Sequence, residues 1–368
     1  LYGMFGPWCA AGIHQIWGSM PELSPVWLPL AYERATFGLE YVTLLIVIPL
    51  LLIVTPAWFL YETTIANLTG AADDRSFGLK RWFAISTPFI AAVCVVPSLL
   101  ATSNDSRAIL ACMSISAFAS HITFSVFLFA AEPYGPSRRV KTQLSRSGAG
   151  ALRRFMGPGL MRAVALVILL GLLGIAAISM IDAGALEALG PAGRDRELGI
   201  QKIFVWGAYT GLFTLFITGL VTWLRSRDNT PWIARLIAIA ILFLICALPW
   251  VIVAIGDAAS TSSGSIDDWE NVGAPSPFFA FYMIGALDKL DPGSAIEVGF
   301  GAAMVWGFIG FGLLAAAGRR CARAISRYEV SLEQADAAFR HEDEALASQN
   351  DASTDAQPAA TETAPAAT

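Results

Sequence analysis

The sequence predicts an all-α fold: a polytopic membrane helix bundle of about seven transmembrane helices, with a re-entrant or interfacial segment before the last span. Hydrophobic residues make up 55% of the 368 residues and charged residues only 14%, against about 25% charged residues in soluble domains. The mean hydropathy is +0.59, and seven stretches reach the roughly 20 apolar residues that a bilayer-crossing helix needs. This composition excludes a nucleic-acid-binding protein, a disulfide-rich secreted domain and an ordinary cytosolic enzyme.

The elements follow one another along the chain with loops of different character between them. The predicted spans are residues 37–61, 82–101, 108–131, 162–181, 203–224, 232–256 and 295–318. The predicted domains are an extracytoplasmic aromatic segment (1–36), the first span (37–61), a cytoplasmic linker (62–81), a six-span bundle (82–318), a cytoplasmic charged helix (319–349) and a disordered tail rich in Ala, Thr and Pro (350–368). The tail has too few large apolar residues to fold. Because the first span follows an external segment that starts at Leu1, we expect further sequence upstream.

The distribution of basic residues predicts the orientation of the bundle. Eighteen of the 24 Lys and Arg residues lie in 62–81, 132–162, 225–235 and the region after residue 318. The side of a membrane protein that is richer in Lys and Arg faces the cytoplasm. We therefore expect an extracytoplasmic N-terminus and a cytoplasmic C-terminus.

A run of polar residues occupies the third predicted span. It comprises Ser114, Ser116, Ser120, His121, Thr123 and Ser125. His121 and Ser125 share one helical face. One interpretation is a polar pathway or a proton-responsive site, because imidazole titrates near neutrality. The other is a histidine that hydrogen-bonds a neighbouring helix and holds the bundle together.

The fifth predicted span carries a ladder of threonines at every fourth position. They are Thr210, Thr214, Thr218 and Thr222. Glycines beside the ladder let another helix approach closely, and the hydroxyls can bond carbonyls of their own helix or cross the contact. The ladder is predicted either to line a translocation route or to form a packing seam.

Residue constellations that carry out catalysis are missing from the sequence. It contains no G-x-x-x-x-G-K-[ST] phosphate loop and no H-E-x-x-H motif. The histidines His14, His121 and His341 are isolated, and the five cysteines form no C-x-x-C pair. We therefore expect no enzyme activity, no cofactor and no metal site in this chain.

The loop at 132–162 is the most informative polar segment. Glu132 is its only acidic residue, whereas its basic residues include Arg138, Arg139, Lys141, Arg146, Arg153 and Arg154. Attraction to anionic lipid explains part of this charge. The loop is longer than orientation requires, and Pro and Gly residues at both ends favour a short helix between two breakers. Such a helix is suited to docking a cytoplasmic partner.

The apolar segment 276–290 is too short to cross the membrane and reads as an interfacial or re-entrant piece. Its predicted site residues are Ser276, Pro277, Phe278, Phe279 and Tyr282. A similar Ser-Pro-aromatic pattern at 24–32 precedes the first span. The two segments are either an internal repeat or a chance match.

The layout of residues 82–327 resembles the membrane subunit of an ATP-binding-cassette exporter of the type-two permease class. The likeness lies in a tight turn from Thr102 to Arg107, the basic loop after the second span of this unit, and the Ser-Pro-aromatic segment before a Gly-rich last span. The resemblance implies that residues 138–156 couple to a separate cytoplasmic ATPase and that 276–290 is re-entrant. It also implies a bacterial-type inner membrane, contact with lipid, no nucleic acid, and a second permease half or a homodimer partner. The extra span at 37–61 is explained if the chain is the C-terminal part of a tandem-fused permease.

Two alternatives stay open at the level of sequence. A secondary transporter would contain buried carboxylates or broken helices near the membrane midplane. A scaffold or assembly protein without transport activity would have an interior poor in polar groups. An ATPase partner would favour the permease over both.

Overall fold

The computed structural model describes residues 48–69, 74, 76–101, 103–146, 150–227, 230–259, 271–288 and 295–355. Within these residues every regular element is a helix, which confirms the all-α class. The predictions for 1–36, for the first part of span 37–61 and for the end of the tail lie outside the described residues.

Ten α-helices follow one another along the described chain. They are α1 (Ile48–Leu68), α2 (Ser76–Leu100), α3 (Asn104–Phe129), α4 (Arg138–Arg146), α5 (Ala151–Met156), α6 (Leu160–Leu189), α7 (Arg194–Arg227), α8 (Pro231–Ala259), α9 (Phe279–Leu287) and α10 (Ala295–Asp355). A single 3-10 turn, Asn271–Gly273, precedes α9.

Six of these helices, α2, α3, α6, α7, α8 and α10, are long and apolar enough to cross a membrane. The protein is therefore a multi-pass membrane protein. The six correspond to the second to seventh predicted spans. Helix α1 overlaps the first predicted span and continues to Leu68, into the range predicted as a linker.

Helices α6 and α7 are longer than the sequence predicts. The spans predicted at 162–181 and 203–224 leave residues 182–202 as an external loop, but α6 runs to Leu189 and α7 starts at Arg194. The predicted span stopped at Asp182 because apolar stretches end at the first charged residue. A helix continues past such a residue when its side chain is hydrogen-bonded inside the protein.

Helix α7 lies at the centre of the bundle. It is the most buried of the six long helices and packs against α3 and α6. It also crosses α10 at glycine positions: a Cβ on Gly310 would lie 2.7 Å from the Cα of Phe216, and a Cβ on Gly219 would collide with the backbone of Gly310. Glycine at these positions lets the two backbones touch.

The packed helices bring two sets of chain segments together. We call the region of residues 127–135, 157–162 and 223–235, with the start of α2, the loop end, because it carries the basic loop. We call the region of residues 98–107 and 182–196 the turn end, because the turns between α2 and α3 and between α6 and α7 lie there.

Residues 319–368 form a compact unit of their own. Its described part is helical and largely exposed to solvent. The helix continues to Asp355, several residues into the range predicted as a disordered tail. The added residues, 350–355, are polar or small and include one strong helix former, Ala352. They extend a helix that is already formed, which costs less than starting one.

Candidate functional site

A buried ion pair fixes the start of the basic loop. Lys80 on α2 has no solvent exposure, Glu132 at the end of α3 is 6% exposed, and their charged atoms lie 3.4 Å apart. Glu132 Oε2 also accepts hydrogen bonds from the Ser76 hydroxyl at 2.7 Å and the Gly159 amide at 3.2 Å. Lys80 Nζ donates to the Gly157 carbonyl at 2.7 Å. One buried pair therefore joins α2, α3 and the chain that enters α6.

Backbone contacts close the loop from its other side. The Leu160 amide donates to the Pro133 carbonyl at 2.8 Å, so the two ends of the loop are held together. Gly159 has φ +148°, a conformation that side chains other than hydrogen rarely permit. Glycine is therefore required where the chain turns into α6.

Two arginines cap the carboxyl end of α3. Arg225 on α7 donates to the Ala130 carbonyl at 2.9 Å, and Arg235 on α8 donates to the Phe127 and Leu128 carbonyls at 2.9 and 3.2 Å. The last carbonyls of a helix lack partners within the helix and carry partial negative charge. The arginines satisfy them and tie α7 and α8 to the loop end.

The basic loop contains two short helices, where the sequence predicts one. Five of its six candidate docking residues are exposed: Arg138, Arg139, Lys141, Arg146 and Arg154. Arg153 differs, because its guanidinium lies 3.4 Å over the ring of Phe77 and 3.5 Å from the carboxylate of Asp74. The sequence treats Arg153 and Arg154 alike, whereas the structure makes Arg153 an anchor of α5 and leaves Arg154 on the surface.

Helix α5 also presents apolar side chains to solvent. Leu152 is 72% exposed and Phe155 is partly exposed, whereas Met156 on the same short helix is buried. Leu152 and Phe155 lie three residues apart and therefore on one side of α5. The loop thus offers an apolar spot beside exposed arginines, a combination found at protein interfaces.

The histidine of the third span lies between α2 and α3. His121 Nε2 is 3.3 Å from the Thr87 hydroxyl, and its ring stacks on Phe83 at 5.8 Å between ring centroids. Ser125 is buried, and its hydroxyl donates to the His121 carbonyl at 2.9 Å. These contacts match the interpretation in which the histidine holds two helices together.

The threonine ladder lies on the buried side of α7. Thr214, Thr218 and Thr222 are buried and Thr210 is half-buried. The Thr218 and Thr222 hydroxyls donate to the carbonyls four residues earlier, at 2.8 and 2.6 Å. Hydroxyls used in this way are satisfied within α7, as expected of a packing seam.

The Ser-Pro-aromatic segment packs against the middle of the long helices. Ser276 is fully buried, donates from its hydroxyl to the Cys246 carbonyl on α8 at 2.9 Å, and accepts at its carbonyl from the Tyr209 hydroxyl on α7 at 3.1 Å. Phe279 is also buried, with its ring 5.3 Å from that of Tyr282. Pro277 is half-buried and Phe278 exposed.

Sequence reasoning missed one buried acid. Asp182 was assigned to an external loop but lies on α6 with 2% exposure, and its Oδ1 accepts a hydrogen bond from the Ser98 hydroxyl of α2. Its other oxygen, Oδ2, has no hydrogen-bond partner among the described residues. The available signal was the helical spacing of Ile178, Asp182 and Leu186, which continues the buried face of α6 past the predicted end.

Comparison with protein families, with curated proteins and with solved structures finds no match to this chain. The arguments about function therefore rest on the residues and contacts described above.

Proposed function

We propose that this chain is the membrane subunit of an ATP-driven exporter of the type-two permease class, and that its basic loop receives a separate ATPase. The observation that carries the proposal is the buried Lys80–Glu132 pair. It holds the two ends of the loop, at Glu132 and at residues 157–159, to the start of α2, so a force applied to the loop is passed to membrane helices. A loop that only set orientation would need no such joint.

The exposed surface of the loop supports a protein partner. Arg146 at the end of α4 and Arg154 on α5 are exposed, and α5 also carries the apolar spot of Leu152 and Phe155. Apolar contact supplies affinity and the arginines supply orientation and rate of encounter. In this proposal the loop end faces the cytoplasm of a bacterial-type inner membrane, where an ATPase and ATP are available.

We further propose that the segment 276–290 is re-entrant. Cys246, whose carbonyl accepts a hydrogen bond from the Ser276 hydroxyl, lies 15 residues into α8 from Pro231. At 1.5 Å per residue this is about 22 Å from the loop end, within a hydrocarbon core about 30 Å thick. Further along, Asp288 pairs with Lys202 at 2.6 Å, near the start of α7. The segment therefore rises from the depth of Cys246 towards the turn end.

The remaining partners follow from the same assignment. Helix α8 exposes large apolar side chains, among them Trp232, Leu236, Phe243 and Leu248, which suits contact with lipid. A second permease half or a second copy of this chain completes the transporter in this proposal.

The direct experiment is photo-crosslinking in intact cells. Benzoylphenylalanine replaces Leu152 on α5 or, as the matched control, Leu189 at the turn end, which is also well exposed. The proposal predicts that position 152 crosslinks a protein with a phosphate loop and that position 189 does not. If neither position captures such a protein, or if both capture it equally, the proposal is wrong.

A second experiment separates docking from anchoring. In the purified complex, Arg154→Glu should abolish stimulated ATP hydrolysis while the protein stays inserted, and high salt should reduce docking because exposed charges are screened. Arg340→Glu, an exposed arginine on α10, is the control and should leave hydrolysis unchanged. Unchanged hydrolysis in Arg154→Glu would mean that the loop does not dock the ATPase and that its basic residues serve only to orient the protein in the membrane.

A secondary transporter is the second candidate, favoured by Asp182. A buried carboxyl in a membrane helix is a common component of ion-coupled transport. The crosslinking experiment discriminates between the two, because a secondary transporter has no ATPase at position 152.

A further inference from the structure

Asp182 stands apart from the other buried acids because no cation pairs with it in the part of the chain that the structure describes. Its side chain is 2% exposed and is held between α6 and α2 by the Ser98 hydroxyl. Ser98 is itself buried and also donates to the Val95 carbonyl. The second carboxyl oxygen, Oδ2, has no hydrogen-bond partner in the described part of the chain.

The titratable groups on the neighbouring helices do not balance its charge. On α2 and α3 the groups within electrostatic range are the thiols of Cys94 and Cys112. Arg107 lies five residues before Cys112 and forms no ion pair with Asp182 in the described residues. On α7, Lys202 is paired with Asp288 at 2.6 Å. On α6 itself, Glu187 is exposed and adds no positive charge.

An ionised carboxylate in such surroundings costs several kcal/mol, because it loses its hydration without gaining a counter-charge. A buried group in this situation takes up a proton and becomes neutral. The neutral carboxyl keeps the hydrogen bond from Ser98 and carries its proton on the oxygen that has no other partner. We propose that Asp182 is a proton-binding site within the membrane region of this protein.

Other buried polar groups lie at the turn end together with Asp182. Asn104 Oδ1 and the Nε and Nη1 atoms of Arg107 are buried and lack hydrogen-bond partners among the described residues. Asn104 and Arg107 lie in the first turn of α3, and Asn104 donates to the Pro191 carbonyl. In this proposal the proton reaches Asp182 from the membrane face at the turn end, where these polar groups lie. Release of the proton leaves a charge that needs water or a cation, so it accompanies separation of α2 from α6.

The test uses the full chain in lipid nanodiscs and a hydrophobic carbodiimide, which reacts with protonated carboxyl groups. Peptide mass spectrometry then measures the label on Asp182 and on Glu132, the buried acid that is paired with Lys80. The expected result is at least about tenfold more label on Asp182 than on Glu132. This ratio corresponds to a difference of about 1.4 kcal/mol between the free energies of protonating the two carboxyl groups. The label on Asp182 should fall as the pH rises.

Two variants make the result specific. Asp182→Asn should remove the label from this peptide, and Ser98→Ala should keep it because the hydroxyl only positions the carboxyl. Equal labelling of Glu132 and Asp182, or no label on Asp182 in the wild-type protein at any pH, would overturn the proposal. The wild-type measurement does not depend on whether either variant folds, nor on the ATPase partner.

Discussion

The two ends of the bundle surround a buried carboxyl group with opposite kinds of partners. At the loop end, Glu132 meets a buried lysine, a hydroxyl and a backbone amide. At the turn end, Asp182 meets one hydroxyl and no cation in the described residues. The first arrangement fixes helices in one position. The second leaves a group whose charge depends on whether the helices stay packed.

Other polar groups follow the same division. Buried side-chain atoms without hydrogen-bond partners include those of Asn104, Arg107, Asp182 and Arg196 at the turn end. At the loop end, the arginines Arg225 and Arg235 bond carbonyls of α3. A protein that passes a movement from one face of the membrane to the other needs a firm joint at one end and a compliant region at the other. We expect the loop end to be the firm joint.

The largest effect is expected for Lys80→Met. Removal of the lysine leaves Glu132 buried without a counter-charge, which typically costs about 3–5 kcal/mol. The free energy of unfolding in mixed micelles measures the loss. The double variant Lys80→Met with Glu132→Gln should recover much of it, because no unpaired charge remains. A single variant as stable as the wild-type protein would remove the contrast between the ends.

Gly310→Ala should have the next largest effect. Its Cβ would lie 2.7–2.8 Å from backbone atoms of Leu215 and Phe216, so α7 and α10 must move apart, at a cost of about 1–3 kcal/mol. Gly312→Ala is the matched control on the same helix, because nothing lies within 4 Å of its Cβ position. Equal stability of the two variants would show that the crossing tolerates separation.

Tyr209→Phe tests the attachment of the re-entrant segment. The change removes the hydrogen bond from the tyrosine hydroxyl to the Ser276 carbonyl, which is worth about 1 kcal/mol. We expect faster amide hydrogen exchange in 271–288 and unchanged exchange at the loop end. Faster exchange throughout the bundle would mean that this contact stabilises the whole fold.

The smallest effect is expected for Thr218→Val. The hydroxyl bonds only its own helix, so its loss should change the free energy of unfolding by less than about 0.5 kcal/mol. Thr222→Val is the companion variant with the same kind of bond. A loss above about 2 kcal/mol in either would show that the hydroxyl makes a contact across helices.

Sequence patterns predicted the helical class and six of the spans, because an apolar run long enough to cross a bilayer must satisfy its own backbone hydrogen bonds, and a helix does so. They did not give the Lys80–Glu132 pair, since its members lie 52 positions apart and only packing brings them together. They also predicted that Asp182 lies outside the membrane region, because an apolar span is ended at its first charged residue and hydropathy does not indicate whether that residue is buried. Arg153 and Arg154 look alike in sequence, and only the packing of Arg153 against Phe77 and Asp74 distinguishes them.

The most direct test compares Glu132→Gln with Asp182→Asn in one unfolding experiment at about pH 5, where Asp182 carries its proton in this proposal. Both changes replace a buried acid by a neutral amide of similar size. Glu132→Gln leaves Lys80 without its counter-charge and should lower the free energy of unfolding by about 3–5 kcal/mol. Asp182→Asn replaces a group that is already neutral and should change it by less than about 1 kcal/mol. A loss of similar size in both variants would contradict the difference between the two ends.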